Sequence, residues 1–404
     1  MAQPPLDLLC IEPTFPGRLG GVADWLVRRR GYRARFYCRH AAPRDHWPES
    51  TGRGIEVVAF GVGGVAAGPD YAWPRVLERG LCYAYGCWEV LDARRPRPVD
   101  VILGRSAGLG STLFAPVAFP SAPIVQLFDS YHDPARAEPE IDAPPDGRPE
   151  ADRLRRLAAN AVELLDLENG VTPWTPTEYQ RGLFPAAYRG DFVVLHDGVE
   201  TRGLPARGRG RLVIGGRTIP EDAPVVTYVA GSTGPRRGFD RFVGLVGRLH
   251  RESPGLVAVA LAAGAGDETA ATLDGVPGLD RDRLWLLGPV PPAEVRRVLA
   301  RGDLHVDPSR PGPASRSLVE AMAAGSAVLA QDSEAAREIV EDGVSGRIAG
   351  DSDALFHLAR HLLSDRDAAR TLGDAAAERI RDGYSRDVTL PRLADLFGRL
   401  AGEA

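Results

Sequence analysis

Between Asp307 and Gly325 the sequence reads Asp-Pro-Ser-Arg-Pro-Gly-Pro-Ala-Ser-Arg-Ser-Leu-Val-Glu-Ala-Met-Ala-Ala-Gly, concentrating charge, hydroxyl and turn chemistry in one stretch. An apolar run ending near Val306 gives way to a Pro/Gly loop, then to a helix pattern from Ser317 that stops at Gly325. That order places polar side chains and the positive end of a helix at the carboxyl edge of a parallel sheet, where α/β proteins bind ligands. The free N–H groups of a helix start stabilise an anion such as a diphosphate. Arg310 and Arg316 supply forked donors beside the hydroxyls of Ser315 and Ser317. Glu320 has two readings: Ser317-x-x-Glu320 is a capping box, and a carboxylate there equally accepts from vicinal hydroxyls.

All 49 basic side chains are arginine, because the 404 residues include no lysine. Schiff-base and pyridoxal-phosphate chemistry and a Walker-type phosphate loop are thereby excluded. Phosphate must be held by guanidinium forks, backbone N–H groups and helix N-termini. Against 54 acidic residues the formal charge is -5, which leaves no nucleic-acid footprint. Cys10, Cys38, Cys82 and Cys87 form no CxxC pair and stand near no His cluster, so neither a metal site nor a disulfide framework is expected. Residues 1–7 lack a charged segment followed by an apolar run, and no stretch approaches the roughly 18 apolar residues of a membrane span. A cytoplasmic protein with reduced thiols is the expectation.

These side chains need elements to position them. Short apolar runs alternate with helix-period segments, the pattern of βαβ units. The strand candidates are 6–11, 33–37, 56–60, 99–103, 124–128 and 192–195, then 225–229, 256–261, 283–287, 304–306, 327–330 and 346–348. Two sets of about six read as two doubly wound domains, joined near 200–222, where Gly, Arg and Pro abound. Residues 133–150 carry five prolines among many charges and read as a long surface loop. Residues 387–400 space Val388, Leu390, Leu393, Leu396 and Leu400 as an amphipathic helix.

The strands also locate further candidates. Asp129 and His132 follow the fifth run, as a candidate catalytic pair or as a loop carboxylate and a solvated His. Arg105 follows the fourth, as an acceptor ligand or part of a strand-to-helix turn. His196 and Asp197 close the sixth, in a catalytic or a turn role. Residues 18–44 hold eight Arg against Asp24 alone. A solvated face or an anionic acceptor explains that patch first, and anionic membrane contact is the secondary reading.

Ser317-Leu-Val-Glu-Ala-Met-Ala-Ala-Gly325, with Ala327-Val-Leu-Ala330 and Arg337-Glu-Ile-Val-Glu-Asp-Gly343-Val-Ser-Gly346, resembles the nucleotide-sugar site of family-4, GT-B-fold retaining glycosyltransferases. Phe15-Pro-Gly17, Tyr179-Gln-Arg-Gly-Leu-Phe-Pro185, His196-Asp-Gly-Val-Glu200 and Arg237-Gly-Phe239 are similar to one branch of that family.

The resemblance implies an α/β GT-B fold: two Rossmann-like, doubly wound parallel-sheet domains with an interdomain cleft. Residues 1–200 would form the acceptor domain and 201–385 the nucleotide-sugar donor domain, with 386–404 a helix returning to the first. It implies metal-independent, retaining transfer from a UDP- or GDP-type sugar, a co-substrate rather than a cofactor. The acceptor would be a small molecule or glycan, and the protein a monomer or homodimer. Glu320 stands where the family's carboxylate meets the ribose, and Arg237, beside Arg236, where most members have a diphosphate Lys. Gly17 and Gly20 lie in a loop that lets backbone approach the donor, and Val290 follows the strand that meets the nucleobase.

Two departures stand out. The family's first motif Glu falls on Gly312, and an Arg six positions before the diphosphate Lys falls on Gly231, next to Ser232. They motivate one alternative, a catalytically degenerate GT-B binding or partner subunit; a second, a nucleotide-sugar epimerase-like enzyme on a similar fold, has the absence of an evident acid/base carboxylate set against it.

Overall fold

The computed structural model describes residues 5–48, 50–63, 74–95, 98–105, 109–110, 112–133, 149–208, 210–263, 267–310 and 312–403. The chain divides into two compact units, Met1–Gly198 with Arg386–Ala404, and Val199–Ser385.

The first unit is built on a parallel seven-stranded sheet. Its order is Ile55–Ala59, Arg33–Cys38, Asp7–Ile11, Val101–Gly104, Ile124–Leu127, Thr172–Thr175 and Val193–Val194. Asp7–Ile11 is buried at every position, which suits its unbroken Leu-Leu-Cys-Ile run: a parallel strand covered on both faces does not alternate. Chain order reverses between this strand and Val101–Gly104, so the carboxyl ends of these two strands border the crevice where doubly wound sheets take ligands.

Helix Leu19–Arg30 buries Leu19, Val22, Ala23 and Leu26 and ends at Gly31, whose φ of 70° gives the left-handed cap that a Cβ would disfavour. Helix Arg386–Glu403 inserts Leu390, Leu393, Ala394 and Phe397 into the same core, and the Trp25 indole donates to Asp387 at 3.2 Å.

One strand of this sheet escapes the sequence pattern. Thr172-Pro-Trp-Thr175 carries a proline, which argues against an inner strand, yet it pairs on both sides, with Ile124–Leu127 and with Val193–Val194. Its fully buried Trp174 holds it there, the indole N–H donating to the Leu195 carbonyl at 2.5 Å. Of the expected long loop, residues 134–148 lie outside the described residues, and Pro149 opens helix Pro149–Glu168.

The second unit repeats the topology with six parallel strands. Their order is Leu284–Leu287, Val257–Ala262, Val225–Ala230, Leu304–Asp307, Ala327–Gln331 and Arg347–Ala349. Here chain order reverses between Val225–Ala230 and Leu304–Asp307. The Gly/Arg/Pro stretch expected to be an irregular join forms a hairpin of this unit, Leu212–Ile214 against Arg217–Ile219. Gly215 and Gly216 supply the two positive φ angles of its turn, 56° and 74°. The buried Arg301 fork ties the neighbouring carbonyls of Gly210, Pro220, Glu221 and Ala223 to the unit. Among the described residues no helix is long and apolar enough to cross a membrane.

Candidate active site

In the second unit the candidate donor residues border the reversal point of the sheet. Helix Arg316–Ala323 starts one residue earlier than its pattern suggests, because Ser315 is the N-cap and accepts from Leu318 N–H at 3.2 Å. The capping box assigned to Ser317 and Glu320 does not form. Ser317 donates to the Val229 carbonyl at 2.6 Å, pinning the helix start to the end of the first strand, and the Glu320 carboxylate accepts from Arg316 at 2.9 Å. Ser315 also donates to Asp307 at 2.6 Å. Both hydroxyls thus serve the fold, while the half-buried Glu320 and its partner Arg316 still reach water.

Arg237 lies in a short turn, Pro235–Arg237, and is exposed. The next residue must be glycine: Gly238 has a φ of 66°, and a Cβ there would run into the Pro308 carbonyl. That close approach packs the arginine turn against the loop after Leu304–Asp307. Arg310 reinforces it, with its N–H on the Arg236 carbonyl at 3.0 Å and its fork on Asp240 at 2.7 and 3.0 Å. Arg310 is therefore a clamp within the loop pair: burial pushes the Asp240 carboxyl up, and Arg310 with the nearby backbone N–H groups outweighs it and holds it below the usual carboxylate range. Gly231 and Ser232 are exposed, with open space where a Gly231 side chain would project, and Gly312 is nearly as open. Val290 packs half-buried against the core that contains the hairpin.

The first unit's candidates meet in an ion-pair network at its own reversal point. Arg105 reaches Asp129 at 2.5 Å and Glu12 at 2.7 Å. Arg18 grips Asp129 at 2.5 Å through one nitrogen and Asp197 through its other two. Glu12 is fully buried, and its carboxylate accepts from the N–H groups of Arg18 and Leu19 at 3.0 and 2.9 Å. Burial pushes the Glu12 carboxyl up, against the pull of Arg105 and the two amides.

Gly17 is explained by the same contact: at a φ of 51° it leaves the space that Glu12 fills. Gly20 leaves room for Pro16, whose Cβ lies 2.5 Å from where its own would stand. The Gly17 to Gly21 loop thus has internal reasons for its glycines. His196 accepts from the Gly198 N–H at 3.0 Å through Nδ1, which leaves its proton on Nε2. His132 is anchored through its backbone to Asn160 at 2.9 and 2.8 Å.

Glu12 and Arg18 were not anticipated by sequence reasoning, and one signal pointed to Glu12: it is a charge directly after the apolar run Leu8–Ile11 at the switch position. The Arg-rich surface is largely compensated, with Arg28 on Asp24, Arg33 and Arg35 on Asp7, and Arg39 over the Tyr83 ring. Residues 106–108, beside Arg105, lie outside the described residues.

Two family signatures match: the glycosyl transferase family 4 group over residues 31–204, and the glycosyl transferases group 1 over residues 223–365. Between them they take in most of the chain, which belongs to the GT-B-fold glycosyltransferases. Alpha-maltose-1-phosphate synthase of Mycolicibacterium smegmatis is 28% identical over 241 residues, 56% of this chain and 61% of that protein. Phosphatidyl-myo-inositol mannosyltransferase of the same organism is 28% identical over 166 residues, 41% of this chain and 39% of that protein. The chain thus spans less than two thirds of either relative. Sucrose-phosphate synthase from Thermosynechococcus elongatus matches in fold, with a TM-score of 0.72 at 15% identity, covering 99% of this chain and all of that one. So does Alr3699/HepE of Anabaena, solved in complex with UDP and glucose, with a TM-score of 0.67 at 16% identity over 98% of this chain and all of that one.

Proposed function

We propose that this protein is a retaining, metal-independent glycosyltransferase that moves a sugar from a nucleoside diphosphate to a hydroxyl of a small molecule or glycan. The observation that carries the reading is the second unit's reversal point. It has an exposed arginine at 237, the exposed Gly231 and Ser232 after the first strand, and the half-exposed carboxylate of Glu320 just over a turn into helix Arg316–Ala323. Arg237 would bind the diphosphate and, as the glycosidic bond breaks, stabilise the charge on the leaving oxygen. Glu320 would accept from the ribose hydroxyls, and the Arg316 ion pair would hold it in place. In a same-face displacement a departing phosphate oxygen takes the acceptor proton, so the chemistry rests on charge placement and orientation. On the acceptor side, Asp129, Arg105 and His196 would orient the nucleophilic hydroxyl.

A thermal-shift panel of UDP, GDP, ADP and dTDP on wild type and Arg237→Ala tests the donor assignment. One nucleotide is expected to stabilise the wild type, and the mutant to lose most of that shift. Full stabilisation of the mutant sinks the diphosphate role. NMR of the product anomer decides retention, and turnover in EDTA decides metal independence. The lock of Arg310 on Asp240 favours a second reading, a binding subunit without turnover, since it removes one cation that could have replaced the missing Arg at position 231. Nucleotide binding without transfer or donor hydrolysis would establish that reading.

A further inference from the structure

The two units share one strand order around their reversal points but fill those points differently. In the second unit the first strand leads into Gly231, beside open space. In the first unit the corresponding strand leads into Glu12, which is fully buried. Its carboxylate accepts two N–H groups at the start of helix Leu19–Arg30 and a guanidinium N–H of Arg105, and Gly17 leaves the room it occupies. Two helix-start amides and an arginine are the donor set that a phosphate takes in such folds.

We propose that Glu12 is a specificity-determining residue: it keeps the anion cradle of the first unit permanently filled, so the acceptor held at this edge presents hydroxyl or ammonium groups rather than a phosphate. This rests on the acceptor assignment above and narrows it.

The surrounding charges act in the same direction. Arg18 and Arg105 are both ion-paired, to Asp129 and Asp197 and to Glu12 and Asp129, which sets three carboxylates against two guanidinium groups. A dianion entering here meets carboxylate oxygens at close range, whereas a hydroxyl or an ammonium meets acceptors. Arg39, at the end of the neighbouring strand, donates to the Tyr83 hydroxyl at 2.7 Å.

Isothermal titration with inorganic phosphate compares wild type, Glu12→Gln and Glu12→Ala. The alanine variant empties the cradle while keeping its three donors, and should bind phosphate roughly tenfold more tightly than wild type. The glutamine variant keeps the cradle filled and should gain little. Because Glu12 belongs to the first unit, the difference between proteins isolates this edge from any phosphate bound by the second. Equal binding by wild type and Glu12→Ala overturns the proposal.

Should Glu12→Ala fail to fold, hydrogen exchange of the Arg18 and Leu19 amides in wild type decides. Protection unchanged by phosphate supports a filled cradle, and protection altered by phosphate overturns it. The nucleotide panel reports on the glycosyltransferase reading independently, so either idea can fail alone.

Discussion

The Arg18 guanidinium engages three carboxylate oxygens, one from Asp129 and two from Asp197, and a lysine in its place could not serve both partners. Replacing it with Leu takes the guanidinium from the buried Asp197, while Asp129 keeps Arg105, and should cost about 3–5 kcal/mol of stability. Urea unfolding measures this, and Arg18→Lys is expected to recover only part of the loss. His250 offers a second test, by titration. It is 3% exposed, accepts from the Asp280 N–H at 3.1 Å, and is pushed by burial and by Arg283 down to about 4. The unfolded imidazole titrates near 6.5, so its contribution is complete above that pH and is lost as pH falls toward 4, by up to about 1.4 kcal/mol per pH unit. The urea midpoint of wild type should fall across this window more steeply than that of His250→Asn, whose amide oxygen can keep the Asp280 bond.

The turn and helix at the second unit's reversal point are held by particular contacts. Gly238→Ala forces a left-handed residue into the Pro308 carbonyl, so it should cost roughly 2–3 kcal/mol and displace Arg237. Calorimetry would read the stability, and the UDP and GDP shifts the displacement; an unchanged nucleotide shift would detach Arg237 from that turn. Ser315→Ala removes a helix cap and the bond to Asp307, and should lower stability by about 1–2 kcal/mol.

Those elements were legible in the sequence because a strand, a Pro/Gly loop and a helix follow one another within twenty residues. Twelve of the thirteen strands described in the two parallel sheets were anticipated from apolar runs of the same kind, the one at Val193–Val194 being shorter than expected. Thr172–Thr175 was not legible, since Pro173 argues against a strand and only the burial of Trp174 outweighs it. The hairpin at 212–219 hid among Gly and Arg residues. Glu12 and Arg18 escaped for a different reason: Arg105 lies 93 residues from Glu12, and Asp197 lies 179 from Arg18, and no local period encodes such pairs.

At the scale of the molecule, the first unit is incomplete without residues that follow the whole of the second. Ending the chain before Arg386 strips Leu390, Leu393, Ala394, Leu396 and Phe397 from its core. At about 1.5–3 kcal/mol for each large side chain, that is comparable to the whole margin of a typical domain. The first unit should then lose cooperative unfolding and bind a hydrophobic dye, while the second keeps its transition. A truncated protein with both transitions intact would contradict this.

The two crossings that join the units lie side by side. Val199 donates to the Tyr384 carbonyl at 3.0 Å, and Gly198 comes so near the Arg386 backbone that a Cβ would stand 2.8 Å from its Cα. In genetic terms the second unit is an insertion with adjoining ends. Splicing residue 198 to residue 386 through a few glycines should give a continuous first unit, and a gene cut at the same two points accepts a different module in place of the second.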